Sequence, residues 1–467
     1  MSFRKLTAIA AVVSILLTGN LFAGLRDSTN QADYIFIASL EYAQGLEDLF
    51  VHRMGDGFTI RLGTLEKIQA EFPNENMAES IRDFISYALT YWKKPAPRYI
   101  LLAGGVNIIP VIKVKELLED SVIVDEYYAI NKNQNDIIPD VALGRLPFRN
   151  AEELKNMSDK IIAFDKLEST VGYQNDFLFF ADSTDVIFED LSSSIINTVI
   201  PPYLRAERLF FRHGTEYSGN KQDFIELFNK GTLYLVGMMH ANPYLWGHAR
   251  ILDTLDIAAN VITCWPAIFT AMSCNQSFDN PYRPSLVESL MAMKGSGLAA
   301  GFISSGITWV STGNYVIKKF LDLSINSPDV RIGDITLNAK QILYDILDKE
   351  SIRQYTLLGD PAMKIPKWLK AKVNDDIAGE QILQITPNPA SDNVNISFNL
   401  NSGKNVRLEV FDMLGNRIAN ICDSRLEAGE HSFKWYGAEY PQGAYVCRFT
   451  SGNRSEERRV GKECRSR

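Results

Sequence analysis

From Asp33 to Pro366, short apolar runs alternate with longer amphipathic stretches, and that alternation limits the possible folds more than anything else in the chain. The runs are "DYIFIAS", "RYILLAGG", "DFLFFADS", "TLYLVGMM", "AIFTAMS" and "GLAAGFIS". Each is β-prone and apolar at nearly every position, as a strand covered on both faces must be. Between them, "ESIRDFISYALTYWKK", "AEELKNMSDKIIAFDKLE" and "SLVESLMAMKG" carry their apolar residues at helical spacing. Repeated strand–helix alternation predicts an α/β fold with a mostly parallel sheet flanked by helices. A break near Thr170–Asn175 leaves room for two subdomains, each with its own sheet.

Beyond "PKWLKAKVNDDIAGEQ" the character changes. Turn signals ("TPNPASDN", "LNSGKN", "LEAGE", "YPQG") now separate short strands such as "VNISFNL", "VRLEVFDML" and "AYVCRFT". That pattern predicts a small antiparallel β-sandwich. The chain thus divides into an α/β domain over residues 24–369, a linker at 370–379 and a β-sandwich over 380–453.

The two ends stand outside this scheme. "MSFRKLTAIAAVVSILLTGNLFAG" has a basic head, an apolar run too short to span a bilayer comfortably, and small residues at its close, so 1–23 reads as a secretory signal peptide. The mature chain then carries no transmembrane span. "RSEERRVGKECRSR", residues 454–467, is abruptly charged and aperiodic, and looks like the translation of a sequencing-library adapter. The full chain holds 48 basic and 56 acidic residues. Setting aside two basic residues in the leader, and six basic and three acidic in the tail, leaves 40 against 53, a net −13. Nucleic acid is excluded as a partner on that balance, because phosphate binding needs clustered Lys and Arg.

Cysteines are few: Cys264, Cys274, Cys422 and Cys447, with Cys464 in the tail. They form neither a disulfide framework nor a zinc-type spacing. Functional residues of parallel α/β sheets collect at the carboxyl ends of strands. His240 ends the run "TLYLVGMM" and Cys274 follows "AIFTAMS", 34 positions later. If those strands are neighbours, an imidazole and a thiol open onto one edge, the minimum for nucleophilic cysteine catalysis. Taken singly, a cysteine there is a small core residue and a histidine a structural one.

In order along the chain, "RYILLAGGVNIIP", "DIIPDVALGRLP", "LYLVGMMHA", "AMSCNQSFDN" and "YTLLGDPAMKI" resemble the gingipain-type cysteine peptidases, family C25. The resemblance covers about 33–365 and implies a caspase-like α/β fold. It also implies catalysis by His240 and Cys274, with the N–H groups of Ala241 and Cys274 as the oxyanion hole. The family's Gly-His-Gly is Met239-His240-Ala241 here, and alanine is strained wherever the backbone needs positive φ. By the same resemblance Asp140, just before "VALGR", orients His240; its plain alternative is a helix or turn cap before a strand. Asp360 in "LLGDP" reads as structural. Cys264, in "VITCWP", reads as buried, and a disulfide from it to Cys274 would silence the nucleophile. His248, beside Trp246 in "YLWGHAR", is either structural or a lining of the substrate cleft.

The C-terminal pieces "PNPASD", "VFDMLGN" and "GAYV" resemble the sorting domain of bacterial type IX secretion. This implies handling by that secretion machinery, then release or attachment to the outer cell surface. The resulting reading is a secreted cysteine endopeptidase that hydrolyses protein or peptide substrates through a thioester acyl-enzyme. Its rival is an inactive or weakly active homologue that serves as a surface binding or structural protein, favoured by the altered "MHA". A transpeptidase of the secretion machinery is a third reading, set back by the sorting domain. No cofactor is implied; a structural calcium is left open, although no EF-hand-type loop occurs.

Overall fold

The computed structural model describes residues 24–366 apart from 116–120, 133–138, 168–172, 328–329, 345 and 348. Further on it describes 384–386, 393–400, 403–411, 417–437, 440, 444–451 and 454–461. The expected leader and linker, 1–23 and 370–379, lie outside the described residues. The chain forms two compact units, Met1–Lys367 and Trp368–Arg467.

The first half of the first unit holds β1 (Tyr34–Ala38), β2 (Ile60–Thr64), β3 (Tyr99–Ala103), the short β4 (Lys113–Val114) and β5 (Val122–Ile123), and β6 (Ala142–Leu146). Its second half holds β7 (Asn175–Ala181), β8 (Ala206–Phe210), β9 (Thr232–Met238), β10 (Ala241–Asn242), β11 (Leu245–Trp246) and β12 (Leu252–Asp253). Then come β13 (Ala267–Met272), β14 (Leu298–Ser304) and β15 (Tyr355–Leu358). Every strand named from an apolar run is present, and each is buried along its whole length. The amphipathic stretches are helices Met77–Tyr91, Ala151–Asp165 and Leu286–Ala292, started by Asn76, Asn150 and Ser285, whose side chains accept from the N3 amides.

Two separate sheets do not occur. One ten-stranded sheet runs in the order β2-β1-β3-β6-β15-β14-β13-β9-β7-β8. Each five-strand half is parallel within itself, and the halves run in opposite directions because β15 pairs antiparallel with β14 and parallel with β6. The seam is narrow: β15 and β6 share the single register pair Leu358↔Arg145. Here Gly359 N–H donates to the Arg145 carbonyl (2.7 Å), and a Cβ on Gly144 would stand 2.3 Å from the Gly359 oxygen. "ALGR" and "LLGDP" therefore meet at a contact that admits no side chain at 144. Asp360 beyond it is structural, as read: wholly buried, it accepts from Tyr34 Oη (2.7 Å), Arg53 Nε (2.8 Å) and Ala362 N (2.7 Å).

β6 was hidden from the apolar-run reading by Arg145, which is fully buried. Its guanidinium holds Asp125 through Nε and Nη2 (2.5 and 2.8 Å) and donates to the Gly104, Ile109 and Pro110 carbonyls (2.9, 2.9 and 3.1 Å). A buried arginine is tolerated only when its donors are matched in this way.

The second unit has two antiparallel sheets. One is β16 (Gln384–Thr386), β17 (Asn393–Leu400) and β20 (Gly429–Tyr436). The other joins β19 (Arg417–Leu426), β18 (Lys404–Phe411), β21 (Ala444–Ser451) and β22 (Arg454–Gly461). Val394, Ile396, Phe398 and Leu400 alternate into one core with Val406, Leu408, Val410 and Trp435, which makes a sandwich. Residues 454–461, set apart on composition, form β22 antiparallel to β21, a pairing that uses backbone groups any sequence supplies.

Candidate active site

β9 and β13 are neighbours, parallel and in register, with Met238 opposite Met272. His240 and Cys274 each lie two residues beyond that last pair, so both leave the sheet at the same edge. Met239 N–H donates to the Met272 carbonyl (3.1 Å), holding the two chains together one residue past the strands. His240 is exposed and Cys274 half-buried. The histidine and the thiol expected to work together are brought to one edge.

Cys274 sits in a loop shaped by its neighbours. Asn275 takes a left-handed φ of 49°, which asparagine tolerates, and turns the chain beneath the end of β14. There its N–H donates to the Gly306 carbonyl (2.8 Å) and Gln276 N–H to that of Ser304 (2.9 Å). Gln276 Nε2 reaches back to Ser273 Oγ (2.5 Å). The Cys274 Sγ lies 3.7 Å from the Thr308 carbonyl oxygen, in the loop after β14. Farther along, burial pushes the Asp279 carboxyl up, but Lys113 Nζ (2.6 Å) and Ser277 Oγ (2.6 Å) hold it below its usual range.

Ala241 opens β10, which pairs with β11 through Ala241↔Trp246. Gly247 N–H donates to the His240 carbonyl (2.8 Å), so the antiparallel ladder makes Ala241–Trp246 the non-hydrogen-bonded pair. The Ala241 N–H therefore points away from β11. The strain foreseen for alanine is absent: among described non-glycine residues only Arg250 and Asn275 take positive φ.

Asp140 is not brought to the histidine. It precedes β6, where its carboxylate accepts from Asn131 N (2.7 Å) and its own N–H donates to the Ala129 carbonyl (2.9 Å). Four strand spacings separate β6 from β9 in the sheet order. At about 4.8 Å each, that is roughly 19 Å, far beyond the reach of an aspartate. The turn-cap alternative describes its place. Cys264 also departs from its reading. It is exposed, it lies before β13 while Cys274 lies after it, and neither residue is disulfide-bonded. A six-residue strand holds them about 20 Å apart or more, against a limit near 7 Å between the Cα atoms of a disulfide.

One acid at this edge was missed. Asp182, wholly buried, follows β7, the other neighbour of β9. The strand-end rule that found His240 and Cys274 applies equally to the aspartate after "FLFFA". Its Oδ2 accepts from His248 N (2.9 Å) and Thr184 Oγ1 (3.2 Å), and its Oδ1 from Ser183 N (2.8 Å) and Ala249 N (3.2 Å). Trp246 lines no cleft; it is fully buried and stacks on Phe269 (4.4 Å, 17°). His248 is exposed, and its ring lies against that of His240.

A structural calcium finds no suitable cradle in the one three-residue group of potential ligands among the described residues, His52, Asp56 and Asp165. Arg53 bonds both aspartates, and Arg331 and Lys364 bond Asp56 as well. With its carboxylates already neutralised, the group is an ion-pair cluster rather than a hard-cation site.

The fold is similar to that of two solved structures. One is a complex of Porphyromonas gingivalis RgpB pro- and mature domains, with a TM-score of 0.59 at 16% identity, covering 92% of this chain and 100% of that one. The other is the Arg-specific cysteine proteinase gingipain R, RgpB, with a TM-score of 0.59 at 15% identity, covering 95% and 100%. At such identities the likeness is one of fold. No curated protein matches the chain. Residues 384–463 match a secretion system C-terminal sorting domain, which marks the chain for export. Among the described residues no helix is long and apolar enough to cross a membrane. Residues 27–366, well over half of the chain, match the model of peptidase family C25, and the chain belongs to that family.

Proposed function

We propose that this protein is an active, exported cysteine endopeptidase. The observation that supports the reading is the register of β9 and β13, whose last pair, Met238↔Met272, stands two residues before both His240 and Cys274. Cys274 Sγ, as thiolate, attacks the scissile carbonyl. The Ala241 and Cys274 N–H groups receive the oxyanion. His240 protonates the leaving amine, and the thioester acyl-enzyme is then hydrolysed by water that His240 activates. The backbone at Ala241 supports this, since its N–H points out of the hairpin and its φ is not strained. The sorting domain, by its family's role, carries the peptidase through the type IX machinery to the medium or the outer cell surface.

The test is a panel of thiol-reactive peptidyl electrophiles, read by intact mass, with a mixed-peptide cleavage screen. Labelling and cleavage that vanish in Cys274→Ala support the peptidase. A folded protein with Cys274 reduced that neither labels nor cleaves moves the conclusion to a surface binding protein built on a peptidase fold.

A further inference from the structure

His240 has no hydrogen bond to its imidazole among the described residues, yet its ring is enclosed on two sides. The Phe188 ring packs edge-to-face with it, centroids 5.2 Å apart at 78°, and the His248 ring stacks with it, centroids 4.9 Å apart at 22°. Phe188 is itself buried, on helix Val186–Thr198, and gives a fixed wall.

The other wall is built with as much care. His248 lies in a tight turn, closed by Arg250 N–H donating to the Gly247 carbonyl (3.1 Å). Both ends of that turn use left-handed backbone, Gly247 at φ 68° and Arg250 at φ 53°. A Cβ at 247 would meet Ile251 Cδ1 at 2.7 Å, so glycine is required there. The buried Asp182 grips the turn from below through the His248 and Ala249 amides. Gly247 N–H ties it directly to the His240 carbonyl. On such a fastened turn the backbone cost of placing the ring is already met, and only the side-chain rotamer freedom is lost when it settles on its neighbour.

We propose that His248 is a positioning residue for His240. Together with Phe188 it forms a ring clamp that fixes the imidazole in the orientation serving Cys274, and Asp182 acts on catalysis through the turn that carries His248. The proposal rests on the peptidase reading above. A two-torsion side chain held only on one side samples orientations that cannot reach the thiol, and misplacements near 1 Å cost up to about a hundredfold in rate.

The experiment uses the full chain as wild type, His248→Ala, His248→Phe and Asp182→Asn, each compared by peptidyl-electrophile labelling rate and by kcat and KM. His248→Ala is expected to slow labelling and lower kcat about ten- to a hundredfold with KM little changed, and His248→Phe, which keeps the ring, to restore most of it. Asp182→Asn, which turns an acceptor into a donor facing an amide, is expected to fall between them. A second readout needs no turnover: with only five histidines in the chain, selective ring labelling resolves His240 by NMR. Its ring proton signals carry the ring-current shift of a stacked neighbour, lost in His248→Ala and kept in His248→Phe. A wild type that labels, with His248→Ala labelling equally fast or Phe failing to rescue, overturns the clamp. Unchanged His240 signals in His248→Ala overturn it too. A wild type that neither labels nor cleaves overturns the peptidase reading first, and the clamp's catalytic purpose with it.

Discussion

Replacing Arg145 with methionine tests the foundation on which the first unit rests. The substitution keeps most of the side-chain volume and removes five contacts: two to the Asp125 carboxylate and one each to the carbonyls of Gly104, Ile109 and Pro110. Both partners of the ion pair are wholly buried. Breaking such a pair from one side costs about 3–5 kcal/mol, because the remaining charge stays buried and unmatched. The Gly104 and Ile109 carbonyls, left without this donor, add up to about 1–3 kcal/mol each where water cannot reach them, while the Pro110 carbonyl keeps Tyr128 Oη as a donor (2.8 Å). Set against the roughly 5–15 kcal/mol that holds a domain folded, Arg145→Met is expected to leave the peptidase unit marginal. The double variant Arg145→Met/Asp125→Leu removes the stranded charge and keeps only the carbonyl cost, so it should recover about 3 kcal/mol or more of the loss. Urea unfolding of the full chain, following the peptidase unit's transition, measures both. A single variant that loses less than about 1 kcal/mol would refute the argument, and a double variant no better than the single would show that the carbonyls, not the charge, hold β6 in place.

Three further expectations follow from the site and its surroundings. Asp140→Asn leaves kcat/KM for peptide cleavage within about threefold of wild type, since the carboxylate is strands away from His240; a loss of two orders of magnitude would contradict its placement. Ala241→Gly also changes kcat/KM by less than about threefold, because no positive φ is being forced on the alanine, and a large gain would show that the oxyanion loop is strained after all. Asp56 gives the acid limb of stability. Burial pushes its carboxyl up, but Lys364 and Arg331, with Arg53, hold it down to about 2. Its folded value thus lies below its unfolded one, so its contribution is complete above about pH 4 and is lost as pH falls towards 2. The drop in Tm between pH 4.5 and 2.5 should therefore be larger for the wild type than for Asp56→Asn, and equal drops would remove Asp56 from the account.

Much of this was legible because it follows local rules. Short unbroken apolar runs rich in β-prone residues suit strands covered on both faces, so β1, β3, β7, β9, β13 and β14 were readable one by one, as were the helices with an asparagine or serine at their start. His240 and Cys274 were readable because strand ends are where side chains leave a parallel sheet. Other features depend on contacts between residues far apart in the chain, and no local pattern encodes those. The single sheet with opposed halves hangs on the one-pair seam Leu358↔Arg145, beside the close approach of Gly144 to Gly359. β6 is not among the apolar runs because of its buried arginine, which is matched by groups up to 41 positions away. Asp140 and Asp182 are both acids beside a strand, and only the order of strands in the sheet puts one at the histidine's edge and the other several strands off. The contact of His248 with His240 likewise needs the turn that Asp182 grips from a neighbouring strand. The sequence alone determined that the apolar runs are strands and the amphipathic stretches helices, and it placed a histidine and a cysteine at the ends of two of those strands. Tertiary structure decided which strands are neighbours and in what register, because pairing energy is shared between segments distant in the chain, and with that choice it decided what surrounds His240 and Cys274.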